Sequence, residues 1–167
     1  AGPWVSSLFD SPLGQQAPRL IRMVKGSHIV VPRLNRDSEA YILQNEDQRI
    51  VFVIPYEGKY SLIGTTDVPF DGDPSAAAIS AEEIRYLCDA VGAYFTQPVT
   101  PADVRWSFAG VRPLFGDDGD DPSAVTRDYV LDLDAGDGGA TPPLLSVFGG
   151  KITTYRRLAE SAMARLE

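Results

Sequence analysis

Short polar turns between apolar, β-branched segments dominate the first half of the chain and constrain its fold most. Four such segments lie close together: Ile21 to Val31, Ala40 to Gln44, Ile50 to Ile54 and Tyr60 to Thr65. The turns Asn45 to Asp47 and Glu57 to Lys59 connect the last three segments. Connections this short cannot hold the crossover that a parallel pair requires. The pattern therefore predicts a largely antiparallel sheet.

Three further strands are predicted later in the chain: Val104 to Phe108, Arg127 to Asp134 and Leu144 to Phe148. In the first of these, apolar residues occupy the even-numbered positions Val104, Trp106 and Phe108. Successive side chains on a strand point to opposite faces, so we expect the even-numbered side to face the core. In the second strand the odd-numbered residues form the apolar side.

Two helices are predicted beside the strands. Ser80 and Glu83 have the spacing of a capping box, and apolar residues at helical spacing follow from Ala81 to about Phe95. A closing helix follows Gly150, with one apolar stripe formed by Tyr155, Leu158, Ala159, Ala162, Met163 and Leu166. Residues 6–18 contain two prolines and a glycine and are expected to be an irregular connection. Strands and helices together predict an α+β fold.

The composition is that of a folded, acidic protein. Hydrophobic residues make up 44% of the 167 residues, and the formal net charge is −8. Nucleic-acid binding is not expected, because it requires a basic surface. Cys88 is the single cysteine, which excludes an internal disulfide and, with one histidine, the usual zinc ligand sets. The longest strictly apolar run, Ile50 to Ile54, is far shorter than the roughly 20 residues of a membrane-spanning helix.

Several common motifs are missing from the sequence. The chain starts at Ala1 without a methionine, and its first basic residue is Arg19, so we expect no signal peptide and a piece of a longer protein. It contains no Gly-x-Gly-x-x-Gly fingerprint and no Walker loop. The acidic stretch Asp117 to Asp121 does not match the EF-hand pattern, so no bound metal is expected.

Two arginines lie on the predicted inward faces of strands. Arg112 shares the even parity of Trp106 if the pleat continues past Gly110, and Arg127 shares the odd parity of Tyr129. An isolated buried charge is very costly, so each guanidinium group needs an anionic partner. That partner is either a carboxylate of the chain, in a structural salt bridge, or a phosphate or carboxylate ligand.

Gly149, Gly150 and Lys151 precede the closing helix. The free N–H groups of a helix N-terminus, together with a lysine, suit an anion, although an ordinary strand–turn–helix connection explains the same pattern. His28 is the only histidine and leads into the apolar residues Ile29 to Val31. Imidazole titrates near neutral pH, so His28 is a candidate proton acceptor, and a structural role is the alternative.

Five segments together resemble the FAD-dependent glycerol-3-phosphate dehydrogenases, which are D-amino-acid-oxidase-like oxidoreductases. They occur in the family's order: Lys25 to Pro32 (KGSHIVVP), Ile63 to Asp67 (IGTTD), Gly110 to Leu114 (GVRPL), Thr126 to Tyr129 (TRDY) and Phe148 to Arg156 (FGGKITTYR). Within the family, the resemblance is strongest to the bacterial aerobic, quinone-linked enzymes.

The resemblance implies oxidation of sn-glycerol 3-phosphate to dihydroxyacetone phosphate, with hydride transfer to FAD and quinone as the electron acceptor. It implies three sets of residues: His28, Arg112 and Lys151 for catalysis; Arg112, Arg127 and Lys151 for substrate binding; and Gly149, Gly150, Lys151 and Thr153 for FAD binding. Among these, His28 is the preferred base and Lys151 the other candidate.

The resemblance also implies a substrate-binding domain that lacks the Rossmann-like FAD-binding part. Residues 1–18 would leave the missing FAD-binding fold, residues 19–148 would form the substrate-binding (cap) domain, and residues 149–167 would return to that fold. The chain by itself is then expected to be inactive and free of FAD. The whole enzyme would be cytoplasmic and peripheral on the inner face of the cytoplasmic membrane. A homodimer is one of its possible oligomeric states.

Two other functions remain open. A related FAD-dependent oxidase of an amino or hydroxy acid would also use two inward arginines, because they suit a carboxylate. For the fragment by itself, the missing nucleotide fingerprint favours a binding module with no enzymology of its own, whereas the five motifs favour an enzyme for the parent protein.

Overall fold

The computed structural model of the chain describes residues 2–11, 13–18, 21–115, 128–138 and 141–167. In chain order the strands are β1 (Ile21–Pro32), β2 (Tyr41–Gln44), β3 (Ile50–Tyr56), β4 (Tyr60–Gly64), β5 (Val68–Pro69), β6 (Trp106–Phe115), β7 (Tyr129–Asp134) and β8 (Leu144–Gly149). The helices are α1 (Val5–Asp10), α2 (Ala81–Gly92) and α3 (Tyr155–Leu166). The fold is α+β, as the sequence predicts.

The chain divides into two compact units. The first, Lys25–Val111, is called the sheet unit below. The second combines Ala1–Val24 with Arg112–Glu167 and is called the terminal unit.

The sheet has the strand order β2-β3-β4-β1-β5, and β6 also pairs with β1. The β2–β3 and β3–β4 pairs are antiparallel, as the short turns predict, and the β4–β1 pair is antiparallel as well. Their register places Ile42, Phe52, Gly64 and His28 in one row across four neighbouring strands. Because directly paired residues point to the same face, this row belongs to a single face of the sheet.

Helix α2 covers the opposite face. Its predicted capping box is present, with Ser80 as the N-cap and Glu83 reaching back to the Ser80 N–H. Buried side chains of α2 pack against buried strand residues in one core: Leu87, Cys88, Ala90 and Val91 against Ile29, Val31, Leu43, Val51, Val53 and Ile63. The helix ends at Gly92 and not near Phe95, whose ring packs edge-on against Tyr41.

The prediction that Trp106 and Phe108 face the core is wrong. Trp106 is 56% exposed and Phe108 is 38% exposed. These side chains lie on the face that carries His28, whereas α2 and the core cover the other face. The strand itself begins at Trp106 and continues to Phe115.

In the terminal unit, α1 occupies part of the segment that was expected to be irregular. Val5 and Phe9, four residues apart, form one buried side that packs against Phe148 of β8. This spacing places both side chains on the same face of a helix, so apolar burial stabilises a short helix that the local sequence does not indicate. Strands β7 and β8 pair antiparallel, as a two-stranded sheet.

The apolar stripe predicted on the closing helix is largely exposed on α3. Tyr155, Met163 and Leu166 are each more than half exposed, and Leu158 is half-buried. No helix in the described ranges combines the length and the apolar character needed to cross a membrane.

Candidate functional site

The His28 side chain lies half-buried on the face of the sheet that α2 does not cover. Its ring stacks on Phe108 of β6, with ring centroids 4.9 Å apart and an interplanar angle of 7°. On the paired strand β4, a Cβ atom added to Gly64 would lie 2.2 Å from His28 Cδ2. The ring therefore occupies space that only a glycine at position 64 leaves open.

Around His28 the sheet unit presents an apolar surface, which we call the open face. It includes exposed side chains from three strands: Ile42, Ile50, Phe52, Ile54, Trp106 and Phe108. The Trp106 and Phe108 rings are 5.1 Å apart. Strand periodicity placed these aromatic residues in the core and therefore did not indicate them as neighbours of the imidazole. The alternation in β6 indicated that they share a face, but not which face α2 covers.

Directly behind β1, the buried carboxylate of Glu83 accepts from four groups. Its Oε1 atom accepts from Ser27 Oγ and Thr66 Oγ1, both at 2.8 Å. Its Oε2 atom accepts from the Ser80 N–H at 2.8 Å and lies 2.8 Å from Lys25 Nζ. Burial raises the pKa of Glu83, but the bonds from Lys25, Ser80, Ser27 and Thr66 outweigh it and hold the pKa below its usual value. Glu83 is therefore ionised at neutral pH.

In the terminal unit, the predicted FAD-binding residues lie where β8 ends. Gly149 and Gly150 both have positive φ, at 71° and 93°. A Cβ atom on Gly149 would lie 2.8 Å from the Asp128 carbonyl oxygen, so this turn requires glycine. Lys151 and Thr153 are exposed, and a 3₁₀ turn over Ile152–Thr154 leads into α3. The turn leaves the side chain of Lys151 and the backbone of Gly150 accessible to a ligand.

The predicted arginines have different outcomes. Arg112 lies on β6 and is half-buried, so it is not the fully buried charge that strand parity indicates. Arg127 lies outside the described residues, as does the acidic stretch Asp117 to Asp121. Across the described part of the chain, no group of three or more His, Cys, Asp or Glu side chains could hold a metal ion.

The predicted site residues are distributed over both units. His28 belongs to the sheet unit, where the structure brings it together with Gly64 and Phe108. Arg112 belongs to the terminal unit, as does the segment from Gly149 to Thr153, whose residues lie together at the end of β8.

The chain is similar to several known proteins. A glycerol-3-phosphate dehydrogenase from Pseudomonas aeruginosa is 57% identical over all 167 residues, which correspond to 32% of that protein. A D-erythritol 1-phosphate dehydrogenase from Brucella abortus is 52% identical over the whole chain, which covers 33% of its length. The crystal structure of a glycerol-3-phosphate dehydrogenase from Bacillus halodurans complexed with FAD matches 99% of this chain with a TM-score of 0.77, at 31% identity and over 30% of its own chain.

The chain thus spans about a third of the length of the curated relatives it matches. Residues 1–156 match the family model described as "FAD dependent oxidoreductase", which is most of the chain. The chain belongs to the FAD-dependent oxidoreductase family.

Proposed function

We propose that this chain is the substrate-binding part of an FAD-dependent glycerol-3-phosphate dehydrogenase. The proposed reaction converts sn-glycerol 3-phosphate to dihydroxyacetone phosphate, with hydride transfer to FAD and quinone as the electron acceptor. The observation that carries the proposal is the 57% identity, over the whole chain, to a glycerol-3-phosphate dehydrogenase. The position of His28 supports it, because a half-buried imidazole that is stacked on Phe108 is held in one place, as a proton acceptor requires.

His28 is the proposed base. Oxidation of the secondary alcohol takes a hydride from C2 and a proton from the C2 hydroxyl group. A neutral imidazole accepts that proton, and general-base assistance is worth roughly 10² to 10⁴ in rate. Lys151 is the other candidate, because the family resemblance places it in the same catalytic set.

Arg112, Arg127 and Lys151 are the proposed substrate-binding residues. A phosphate monoester carries up to two negative charges near neutral pH, and guanidinium groups bind phosphate oxygens through paired N–H donors. The half-burial of Arg112 supports this role, because partial desolvation strengthens a charge-assisted hydrogen bond. We propose Arg127 as the phosphate clamp and Arg112 as the group nearer the reacting carbon.

The turn at Gly149 and Gly150, with Lys151 and Thr153, is the proposed FAD contact. Positive φ at both glycines and the accessible N-terminus of the following helical segment fit a flavin ring edge on which negative charge develops. When bound, FAD supplies the hydride acceptor. Lys151 and the N-terminal N–H groups of the helical segment would stabilise negative charge at that edge.

D-Erythritol 1-phosphate is a second candidate substrate. The Brucella abortus dehydrogenase named for it is 52% identical to this chain. Both compounds are phosphate monoesters of a polyol, so the same arginines would bind either. An amino- or hydroxy-acid oxidase and a binding module without chemistry are the remaining alternatives.

The proposal extends to organisation and location. Residues 1–18 would form the exit from the FAD-binding fold, and residues 19–148 would form the cap domain. Residues 149–167 would return to the FAD-binding fold. The whole enzyme would be cytoplasmic and peripheral on the inner face of the cytoplasmic membrane, and a homodimer is one of its possible oligomeric states. Both statements rest on the family resemblance.

Steady-state oxidation by the whole protein tests the function. We expect turnover of sn-glycerol 3-phosphate with a soluble quinone, and slower turnover with oxygen. A higher kcat/KM for D-erythritol 1-phosphate would assign the second substrate. Turnover of an amino or hydroxy acid in place of both phosphates would refute the proposal.

Replacing the proposed phosphate clamp tests the substrate site directly. Arg127→Ala should remove a charge-assisted contact worth about 2 kcal/mol, or roughly thirtyfold in kcat/KM for glycerol 3-phosphate. Glycerol, which lacks the phosphate, should lose little from the same change. Equal losses for both compounds would mean that Arg127 has a structural role.

A further inference from the structure

The Glu83 carboxylate connects three separate parts of the sheet unit. Its partners come from β1 (Lys25 and Ser27), from the segment after β4 (Thr66) and from the N-cap of α2 (Ser80). A carboxylate has about four acceptor positions, and all of them are used here. Glu83 is only 7% exposed, so this group of bonds is a buried network and not a surface ion pair.

The same network also joins the backbones on which His28 rests. Ser27 N–H donates to Thr66 Oγ1 at 2.9 Å, and Thr66 N–H donates to the Ser27 carbonyl at 3.4 Å. Ser27 directly precedes His28, and Thr66 lies two residues beyond Gly64, whose backbone contacts the His28 ring. The Ser27 and His28 side chains lie on opposite faces of β1, the first bonded to Glu83 and the second on the open face.

We propose that Glu83 is a positioning residue for His28, acting through Ser27 and Thr66. It holds β1 and the end of β4 at the separation that seats the imidazole against Gly64 and Phe108. This inference rests on the proposed function, in which His28 accepts the proton of the substrate hydroxyl group. Glu83 lies behind the sheet and touches neither substrate nor cofactor, so its effect would reach the reaction only through the imidazole.

The chemistry of the network explains why a glutamate is required. A glutamine is isosteric but has a single acceptor oxygen, so its NH₂ group would face either the Ser80 N–H and Lys25 or the hydroxyl groups of Ser27 and Thr66. The Lys25 ammonium group, with a side chain 11% exposed, would then lose its ion pair, keep its bond to the Ala78 carbonyl at 2.8 Å, and shift. Lys25 lies on β1, two residues before Ser27 and three before His28, so its movement would displace the strand next to both residues. A displacement of about 1 Å at a reacting group can cost on the order of 10²-fold in rate.

A double-mutant cycle in the whole protein tests the coupling. Glu83→Gln should lower kcat for glycerol 3-phosphate by about 10- to 100-fold with KM within a few-fold. In a His28→Asn background the same change should lower kcat by less than about twofold, because there is no imidazole left to misplace. An equal loss in both backgrounds would overturn the proposal, since that is what a purely structural role produces.

Matched variants separate positioning from stability. Thr66→Val removes the bridging hydroxyl group and should reproduce the Glu83→Gln pattern in milder form, whereas Thr66→Ser keeps the hydroxyl and should restore kcat. Val91→Ala removes buried volume from the same helix, two turns beyond Glu83, and should leave kcat unchanged at temperatures where the protein is folded. A Val91→Ala enzyme as slow as Glu83→Gln would contradict positioning.

The histidine ring signals of the whole protein give a readout that does not depend on activity. The His28 signal is identified as the one lost in His28→Asn, and stacking on Phe108 should shift it from its free value. Glu83→Gln should move this signal toward that of an unstacked imidazole, whereas Val91→Ala should not. An unchanged signal would overturn the proposal. If the wild-type protein oxidises no glycerol 3-phosphate, the proposed function fails and the ring signal still decides whether Glu83 positions His28.

Discussion

The His28 ring is held by contacts that come from other strands. Phe108 stacks on it from β6, and the Gly64 backbone lies against it from β4. A proton acceptor works only when its nitrogen stays within hydrogen-bond reach of the substrate hydroxyl group, so a ring fixed by packing is suited to that role. At the scale of single residues, the glycine at position 64 is therefore as important to the proposed chemistry as the histidine.

Replacing Gly64 should impair catalysis more than folding. In Gly64→Ala the added Cβ atom would lie 2.2 Å from His28 Cδ2, so the imidazole must rotate away. We expect kcat to fall by about 10²-fold, because the base is displaced, while overpacking costs on the order of 1–3 kcal/mol of stability. Gly92→Ala is the matched control, since nothing lies within 4 Å of its added Cβ atom. A Gly64→Ala enzyme with wild-type kcat would show that the ring position does not matter.

The role of His28 itself is tested by the pH dependence of the rate. His28→Ala should lower kcat by roughly 10² to 10⁴ and change glycerol 3-phosphate binding by only a few-fold, because the base acts in the transition state. The acidic limb of the wild-type profile should disappear in the variant. If the acidic limb persists unchanged in the pH profile of His28→Ala, another residue is the base, and Lys151 is the next candidate.

At the scale of elements, α2 both covers the core and supplies the Glu83 carboxylate. The spacing of Ser80 and Glu83 predicts its capping box, and the structure confirms it. The other bonds of Glu83 come from β1 and from the segment after β4, at least 17 residues away in sequence. No local pattern contains those partners, so the network could only be found in the folded chain.

The depressed pKa of Glu83 predicts a particular dependence of stability on pH. A carboxyl group whose folded pKa lies below its ordinary value of 4.5 stabilises the fold above that pH, and this stabilisation disappears as the pH falls through the folded pKa. Glu83→Gln should therefore lower the free energy of unfolding by about 3 kcal/mol at pH 7, since it leaves the buried charge of Lys25 without its carboxylate partner. The difference between the two proteins should shrink below pH 4.5.

Urea unfolding followed by circular dichroism measures both free energies. Arg85→Gln is a suitable control, because Arg85 pairs with Glu82 on the exposed side of the same helix and contributes little. A Glu83→Gln difference that stays constant from pH 7 to pH 3 would contradict the proposed ionisation.

At the scale of the whole molecule, the chain covers about a third of its curated relatives and presents a large open face. We expect the 167-residue chain to bind FAD weakly when purified alone. Its proposed contacts are limited to one turn and helix start, and drug-sized ligands gain only about 0.3 kcal/mol per atom even with complete sites. Absorbance at flavin wavelengths after gel filtration measures how much FAD stays bound to the chain. Co-elution of stoichiometric flavin would disprove the expectation and place the main FAD contacts within this chain.

The sequence by itself determined the elements whose causes are local. The antiparallel pairs β2–β3 and β3–β4 follow from turns too short for any other connection, and the start of α2 follows from the Ser80 capping box. The family motifs likewise lie within short segments and need no tertiary structure to be recognised. These features could be predicted because each depends on residues only a few positions apart.

Only the tertiary structure decided which faces are covered. Alternation in β6 shows that Trp106 and Phe108 share a side, but α2 packs on the other side, so both rings are exposed beside His28. Helix α1 likewise depends on packing against Phe148, from the opposite end of the chain. The physical reason is common to both cases. A hydrophobic face is buried by whatever element meets it, and that element is contributed by distant sequence.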